Sequence, residues 1–331
     1  MPLVSVVMPV FNGEAFLKAA MDSILSQTFQ DFELLLINDG STDGSRNLIQ
    51  SYQDSRIRLL DNDRNRGLVY SRNRGLAEAK SSLVALLDAD DVAVPERIAI
   101  QYEYMMKNPE LVMTGGHAEV IDAMGTATGE CYKMPVRSAD IQAELLFRNV
   151  FVNSTVMYRK EAVEKIGGYQ GPDFCEDYHL VFRMAQHYQV ENLDKVLVRY
   201  RVHKDNISRE KEDLMLQGER DIVRSMHRSL HIPYSDPLQE THLSFIRQTN
   251  TKPQLRDYFC LFKAIKEGND KTGIFPKDLL HRVLFTRWYE LIRQSRSRMS
   301  LLLFFRRPLF NPAYATPKMY RKMFKQVFGL I

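Results

Sequence analysis

Residues 82–91 read Ser-Leu-Val-Ala-Leu-Leu-Asp-Ala-Asp-Asp, an unbroken apolar run that ends in three carboxylates. Such a run, bounded by polar punctuation, suits a parallel strand buried on both faces. A strand covered on both sides demands neighbouring strands, with helices above and below. Carboxylates at its end fall in the crevice where open α/β sheets bind ligands. Asp88 and Asp90 are two apart, so in extended chain their side chains leave the same face. Two hard oxygen donors converging there suit Mg²⁺ or Mn²⁺ held together with phosphates. A solvated acidic turn opening the next helix is the plainer alternative, and the surrounding chain decides against it.

The flanking sequence supplies the other strands. Leu3 to Val10 is a buried-strand pattern. Glu14 to Gln27 places Leu17, Met21, Ile24 and Leu25 on one helical stripe. Phe32 to Ile37 is a second strand, running into the turn-rich residues Asn38 to Ser45. Asp43 or Ser45 is placed to cap a helix reaching Gln53. A short strand at 57–60, a helix at 67–79, the central strand at 83–87 and a helix opened by Pro95 complete four alternations. That order predicts an α/β fold, a mostly parallel sheet with helices on both faces. Further on, strands are expected at 111–114, 118–121, 154–158 and 196–202. Helices are expected at 140–147, 160–166 and 175–187, and a polar flap loop at 122–135. Beyond Asn206 only helical patterns remain, broken near Pro233, Pro253, Pro276 and Pro308. The expected division is an α/β domain over 1–205 and a basic helical region over 206–331.

Polar residues gather where these strands end. The first strand runs into Phe11 and Glu14, the second into Asp39, the central one into Asp88 and Asp90, and the last into His203. In a parallel sheet these ends share one edge. There Asp39 can accept from a nucleobase N–H and Phe11 can stack on a base, though a simple turn former is the plain alternative for Asp39. Arg66, Arg72 and Arg74 begin one helix, where guanidinium and backbone N–H groups favour phosphate. For Arg66 and Arg74 a solvated basic face fits better. Glu176 and Asp177 open another helix, as caps or as a general base able to take a proton from a hydroxyl. His203 can ligate a metal or meet a diphosphate, although a lone His at a strand end usually does neither.

Val4 to Asn12, Ile37 to Asp43, Leu87 to Asp91, Glu176-Asp177 and Tyr200 to His203 form a set. Together they resemble the ordered motifs of the family 2 inverting glycosyltransferases of GT-A fold, over roughly residues 1–205. The resemblance implies a GT-A, Rossmann-like architecture with a C-terminal helical extension. It also implies a site. Pro9, Phe11 and Glu14 would line the nucleotide pocket, with Asp39 on the base, usually uracil; Arg72, placed toward phosphate by its helix start, would join them. Asp88 and Asp90 would be the DXD pair, Asp90 a metal ligand and Asp88 nearer the ribose or the metal. Asp177, in the xED position, would be the catalytic base, with Glu176 as the fallback. His203 would match the C-terminal histidine that approaches the metal or the diphosphate. Phe11 stands where Tyr is frequent, which keeps stacking and loses a phenolic hydrogen bond. The implied activity is inverting transfer, dependent on Mn²⁺ or Mg²⁺, of a hexosyl or N-acetylhexosaminyl group. The donor would be a nucleotide-sugar, with a UDP-sugar favoured, and the acceptor a hydroxyl of a glycan or polyprenyl-linked glycan.

The net charge of +4 is unevenly spread: His281 to Ile331 holds eleven Lys and Arg against one acid, Glu290, so the remainder is net acidic. Phe285 to Arg293 and Met299 to Arg307 mix rings, aliphatics and arginines. Such stretches suit peripheral contact with the inner face of a membrane, through 281–331. The alternative is a helical subdomain packed on the core or in a homodimer. No apolar run reaches the length of about 18 residues needed to span a bilayer. The start, Met1 to Val6, lacks a signal-peptide pattern, and three scattered cysteines make neither a disulfide framework nor a zinc spacing. A reducing, cytoplasmic setting is therefore expected. Two other function classes fit less well. A nucleotidyltransferase would want a Gly-rich phosphate loop where this chain has Phe11-Asn12-Gly13-Glu14. A non-catalytic scaffold binding membrane or nucleic acid through its tail would not need Asp39, Asp88, Asp90 and Asp177. A nucleic-acid partner is not expected, since the body of the chain is net acidic.

Overall fold

The computed structural model describes residues 1–171, 175–204, 212–247, 254–295 and 299–327. The expected break at Pro253 lies outside these residues. The chain divides into two compact units, Met1–Ile141 with Asn149–Gly218, and Gln142–Arg148 with Glu219–Ile331. A short piece around Phe147 belongs to the second unit.

The first half of the sheet follows from its apolar runs. It begins with β1 (Val4–Val10), α1 (Glu14–Leu25), β2 (Phe32–Asn38), α2 (Ser45–Gln50), β3 (Ile57–Asp61), α3 (Leu68–Glu78) and β4 (Leu83–Leu86). All seven residues of β2 and all four of β4 are buried, as strands covered on both faces must be. β1 pairs in parallel with β2 and with β4, and β2 with β3. α3 lies so close to β1 that a Cβ at Gly75 would run into the Val7 side chain. The polar residues of these strands are not left bare. Ser5 Oγ donates to Glu33 Oε1 at 2.6 Å, and Glu33 also accepts from Arg58 Nη1 at 2.7 Å and Lys80 N at 2.8 Å.

Beyond β4 the sheet is mixed rather than parallel. The chain continues through β5 (Val92–Ala93), α4 (Arg97–Lys107), β6 (Leu111–Ile121), β7 (Ala127–Tyr132), α5 (Ser138–Glu144), β8 (Met157–Arg159), α6 (Lys160–Lys165), α7 (Glu176–His187) and β9 (Gln189–Arg201). The order is β3-β2-β1-β4-β8-β6-β9-β5, with β7 on β6. β8 runs antiparallel to both β4 and β6, and β6 runs parallel to β9. Two reversals cancel, so β9 points the same way as β4, and their C-terminal ends share one edge. Two sequence expectations change here. The strands at 111–114 and 118–121 are one strand, β6. The expected flap loop is a hairpin, because β7 pairs antiparallel with β6.

The second unit is helical, with α8 (Glu212–Ser229), α9 (Asp236–Arg247), α10 (Leu255–Thr272), α11 (Lys277–Ser295), α12 (Ser300–Phe304) and α13 (Pro317–Val327), of which α8 starts in the first unit. Rings fill its core. Phe147 meets Phe245 at 5.3 Å and Phe262 at 5.9 Å between centroids, and Phe259 meets Trp288 at 5.5 Å. Phe285 and Trp288, expected at a membrane interface, are fully buried, and Trp288 Nε1 donates to the Leu303 carbonyl at 2.9 Å. An amphipathic helix buries the same face against protein or lipid, and here protein takes it. No helix among the described residues is long and apolar enough to cross a membrane.

Candidate active site

The edge formed by the ends of β1, β2, β4 and β9 collects the predicted residues in two groups. The first holds the loops after β1 and β2 together. Asn12 Oδ1 accepts from Thr42 N at 2.8 Å, Gly13 N donates to Ser45 Oγ at 2.9 Å, and Glu14 Oε2 accepts from Gly44 N at 2.9 Å. Glu14 thus spends one oxygen on the start of α2. Pro9 is half-buried in β1, whereas Phe11 is 49% exposed just beyond the strand. Asp39 is buried and accepts three hydrogen bonds, from Asn62 Nδ2 at 2.5 Å and from Arg66 N and Gly67 N at 2.9 Å each. Gly67 has φ +88°, a left-handed conformation that lets its N–H turn to Asp39 at the start of α3. Asp39 is therefore both a turn residue and the anchor of the 64–67 loop.

The second group centres on Arg72. This buried residue of α3 forms an ion pair with Glu176 and a longer one, 3.3 Å, with Asp88. Burial works against its charge, but the carboxylates of Glu176 and Asp88 win and hold the guanidinium charged more firmly than usual. Arg66 and Arg74 point elsewhere. Arg66 lies over the Tyr70 ring at 4.4 Å. Arg74 is half-exposed and donates to the Asp61 carbonyl at 2.7 Å.

Asp88 accepts on both oxygens from Asn153 Nδ2 at 3.0 Å and on Oδ2 from Ser154 Oγ at 3.1 Å. Asp90 Oδ2 lies 3.1 Å from His203 Nε2, and the His203 ring packs on Phe16 at 4.5 Å between centroids. Burial and the nearby charge of Asp88 raise the Asp90 pKa, against the pull of His203. Arg201 secures this loop from β9. Its Nε donates to the Asp90 carbonyl and its backbone N to Asp91 Oδ1, both at 2.8 Å, and its Nη1 reaches the carbonyls of Asp122 and Ala123 at 3.2 Å.

Glu176 and Asp177 open α7. Burial lifts the Glu176 carboxyl to about 7, against the attraction of Arg72. Asp177 is only half-buried, and its Oδ2 accepts from Asn149 Nδ2 at 3.0 Å. It borders a small cavity of about 10 Å³ walled by Leu86, Met113 and Phe151. That apolar wall explains why burial raises its pKa, with Arg72 opposing. Asn149, Asn153, Ser154 and Arg201 were not singled out from the sequence. The two asparagines flank the apolar triplet Val150-Phe151-Val152 just before β8, and a lone amide on either side of an apolar run is the only local signal the sequence carries for them.

A divalent ion can be tested against this donor set. Among the described residues no three His, Cys, Asp or Glu side chains stand ready to enclose one. Asp90 and His203 do present an oxygen and a nitrogen to one point, beside the like charge of Asp88. One or two carboxylates suffice for an ion whose shell is completed by substrate phosphates and water. The residues fit an ion bound in that way.

Residues 5–167 match the family described as Glycosyl transferase family 2. The O-antigen biosynthesis glycosyltransferase WbnJ of Escherichia coli is 32% identical over 207 residues, covering 61% of this chain and 80% of WbnJ. S. aureus TarS 1-349, solved in complex with UDP-GlcNAc, has the same fold with a TM-score of 0.59, at 15% identity over 99% of this chain and 89% of that one. The mannosyltransferase PcManGT of Pyrobaculum calidifontis, solved with GDP-Man and Mn²⁺, aligns with a TM-score of 0.53, at 15% identity over 99% of this chain and 86% of its own. The fold is therefore GT-A, and the similarity to WbnJ over most of that enzyme's length carries the assignment beyond fold: the chain belongs to glycosyltransferase family 2 and is a glycosyltransferase.

Proposed function

We propose that the chain transfers a hexosyl or N-acetylhexosaminyl group from a UDP-sugar to a hydroxyl of a glycan or polyprenyl-linked glycan. The transfer is a single inverting displacement that depends on Mg²⁺ or Mn²⁺. The observation that carries this reading is the link through Arg72, which ties the carboxylate at the end of β4 to the pair that opens α7. Nucleotide-sugars bound to TarS and PcManGT, and the Mn²⁺ in PcManGT, support the donor class and the metal.

Each residue has a role in this reading. Phe11 offers an open ring face to the base. Asp39 keeps about one of its four acceptor positions for a base N–H, three being filled. Pro9 and Glu14 wall the pocket, and Asp88 stands nearer the ribose. Asp90 and His203 would hold the divalent ion together with the diphosphate. Bound there, the ion neutralises charge on the departing nucleoside diphosphate. Asp177 is the base, because Glu176 is buried and paired with Arg72 while Asp177 is half-open. The acceptor oxygen bonds to the anomeric carbon as the bond to the diphosphate oxygen breaks, and the hydroxyl proton passes to Asp177. Asn149 holds one Asp177 oxygen and so orients the carboxylate that takes that proton.

Calorimetry with UDP, GDP and dTDP, with and without Mn²⁺, tests the site. UDP should bind with Mn²⁺, and Asp90→Ala should remove the metal dependence. Absence of nucleotide binding under every condition would end this reading.

A further inference from the structure

The second unit carries a surface that its own packing leaves open. Met299, Leu302 and Phe305 recur every three residues around α12 and are 59%, 73% and 42% exposed. Three-residue spacing puts them on one side of a helix. The other side is anchored: Phe304 is fully buried against Phe285, Tyr289, Phe310 and Tyr320. The Phe305 ring lies 6.1 Å from that of Tyr320 on α13. One turn further along α13 stands Phe324, 46% exposed. The apolar stripe therefore continues from one helix to the next.

Charge borders this stripe. Met323 is fully buried and fixes which side of α13 faces the unit. Lys318, Arg321 and Lys325 are exposed on the rest of the helix. From Leu291 to Ile331 the sequence has no Asp or Glu at all. The cations accordingly repel one another, and Arg293, Lys318 and Arg321 push the Lys322 ammonium below its usual range. An anionic surface would relieve that repulsion.

We infer that the apolar stripe of α12 and the basic face of α13 form a docking surface for a bilayer containing anionic lipids. Exposed Leu and Phe beside a Lys- and Arg-rich face is the composition of helices that lie in a membrane interface. A protein partner fits less well, since protein interfaces are depleted in Lys. Single-stranded nucleic acid would stack on aromatics, whereas the most exposed residues of this stripe, Leu302 and Met299, are aliphatic. This surface keeps the Met299 to Arg307 stretch of the region expected from sequence and drops Phe285 and Trp288, which are core. The inference rests on the second unit alone and does not depend on the donor or the catalytic residues.

Cosedimentation of the full chain tests it, using phosphatidylglycerol–phosphatidylcholine vesicles and vesicles of phosphatidylcholine alone. The chain should partition to the anionic vesicles. The triple variant Lys318→Ser, Arg321→Ser, Lys322→Ser should lose about 10- to 100-fold in partitioning. Leu302→Glu with Phe305→Glu should lose about tenfold or more. Both variants alter exposed or half-exposed positions and should bind UDP as the parent does, which separates this result from the fate of the donor site. Equal partitioning to both vesicle types would overturn the inference. So would full vesicle binding by the Leu302→Glu, Phe305→Glu chain, whether the stripe then proved to join two copies or the cations alone to hold a polyanion.

Discussion

At the sheet edge of the first unit a buried cation meets carboxylates: Arg72 pairs with the buried Glu176 and the half-buried Asp88. In the second unit the buried polar pair is neutral. His227 Nε2 and His242 Nδ1 lie 3.0 Å apart, and His242 Nε2 meets the Leu146 carbonyl at 2.5 Å. A donor–acceptor chain of this kind needs one proton on each ring, and it leaves only His227 Nδ1 without a partner among the described residues of the pair. The two arrangements differ in what they cost. Charges taken from water are recovered only in part by pairing, whereas hydrogen-bonded neutral rings lose little. Raised carboxyl pKa values at Asp90, Glu176 and Asp177 mark the first unit as the place where stability is given up, and such groups cluster at functional sites. The second unit shows what the same chain does where only packing is at stake.

The largest effect should fall on the rate. Asp177→Asn should slow sugar transfer by about 10²–10⁴-fold, the usual worth of a general base, while leaving UDP binding unchanged. Glu176→Gln should slow it less. If Glu176→Gln proves the more damaging in a steady-state assay while folding normally, the roles of the two residues must be exchanged. Arg72→Ala comes next. It leaves Glu176 and Asp88 without their shared cation and should cost about 3–5 kcal/mol in urea unfolding. A loss no greater than that of an ordinary surface change would erase the contrast between charged and neutral burial.

What could be read in advance follows from the range of the interactions. β1, β2 and β4 were legible because a strand buried on both faces needs an unbroken apolar run, as in the buried Leu34, Leu35 and Leu36. The hairpin strand β7 was not, since all six of its residues are exposed and carry no hydrophobic period. Asp88 and Asp90 announced themselves by position, but Asn153, which holds Asp88 from 65 residues away, gave no local sign. A still longer separation in sequence hid the pairing of Arg72 with Glu176. The basic tail was ambiguous for a different reason. Periodicity shows that Phe285 and Trp288 share an apolar face, and it says nothing about whether protein or lipid covers that face.

The histidine pair allows the smallest but most specific test of the comparison. Burial pulls His227 down from 6.5 to about 4, and burial together with His227 pulls His242 down to about 3. As pH falls below 6.5, the unfolded chain takes protons on both rings while the folded chain refuses them until pH 4 and below. The unfolded state then binds more protons, so the second unit loses stability as pH drops. Between pH 7 and pH 5 the loss should be about 2 kcal/mol for each ring. Trp288, the only Trp and fully buried in this unit, reports its unfolding by fluorescence. His227→Phe should remove about 2 kcal/mol of that pH dependence, while the His242 ring still titrates. An unchanged slope in that variant would mean that the acid response belongs to other groups, and that the second unit's core is not protected by neutral burial.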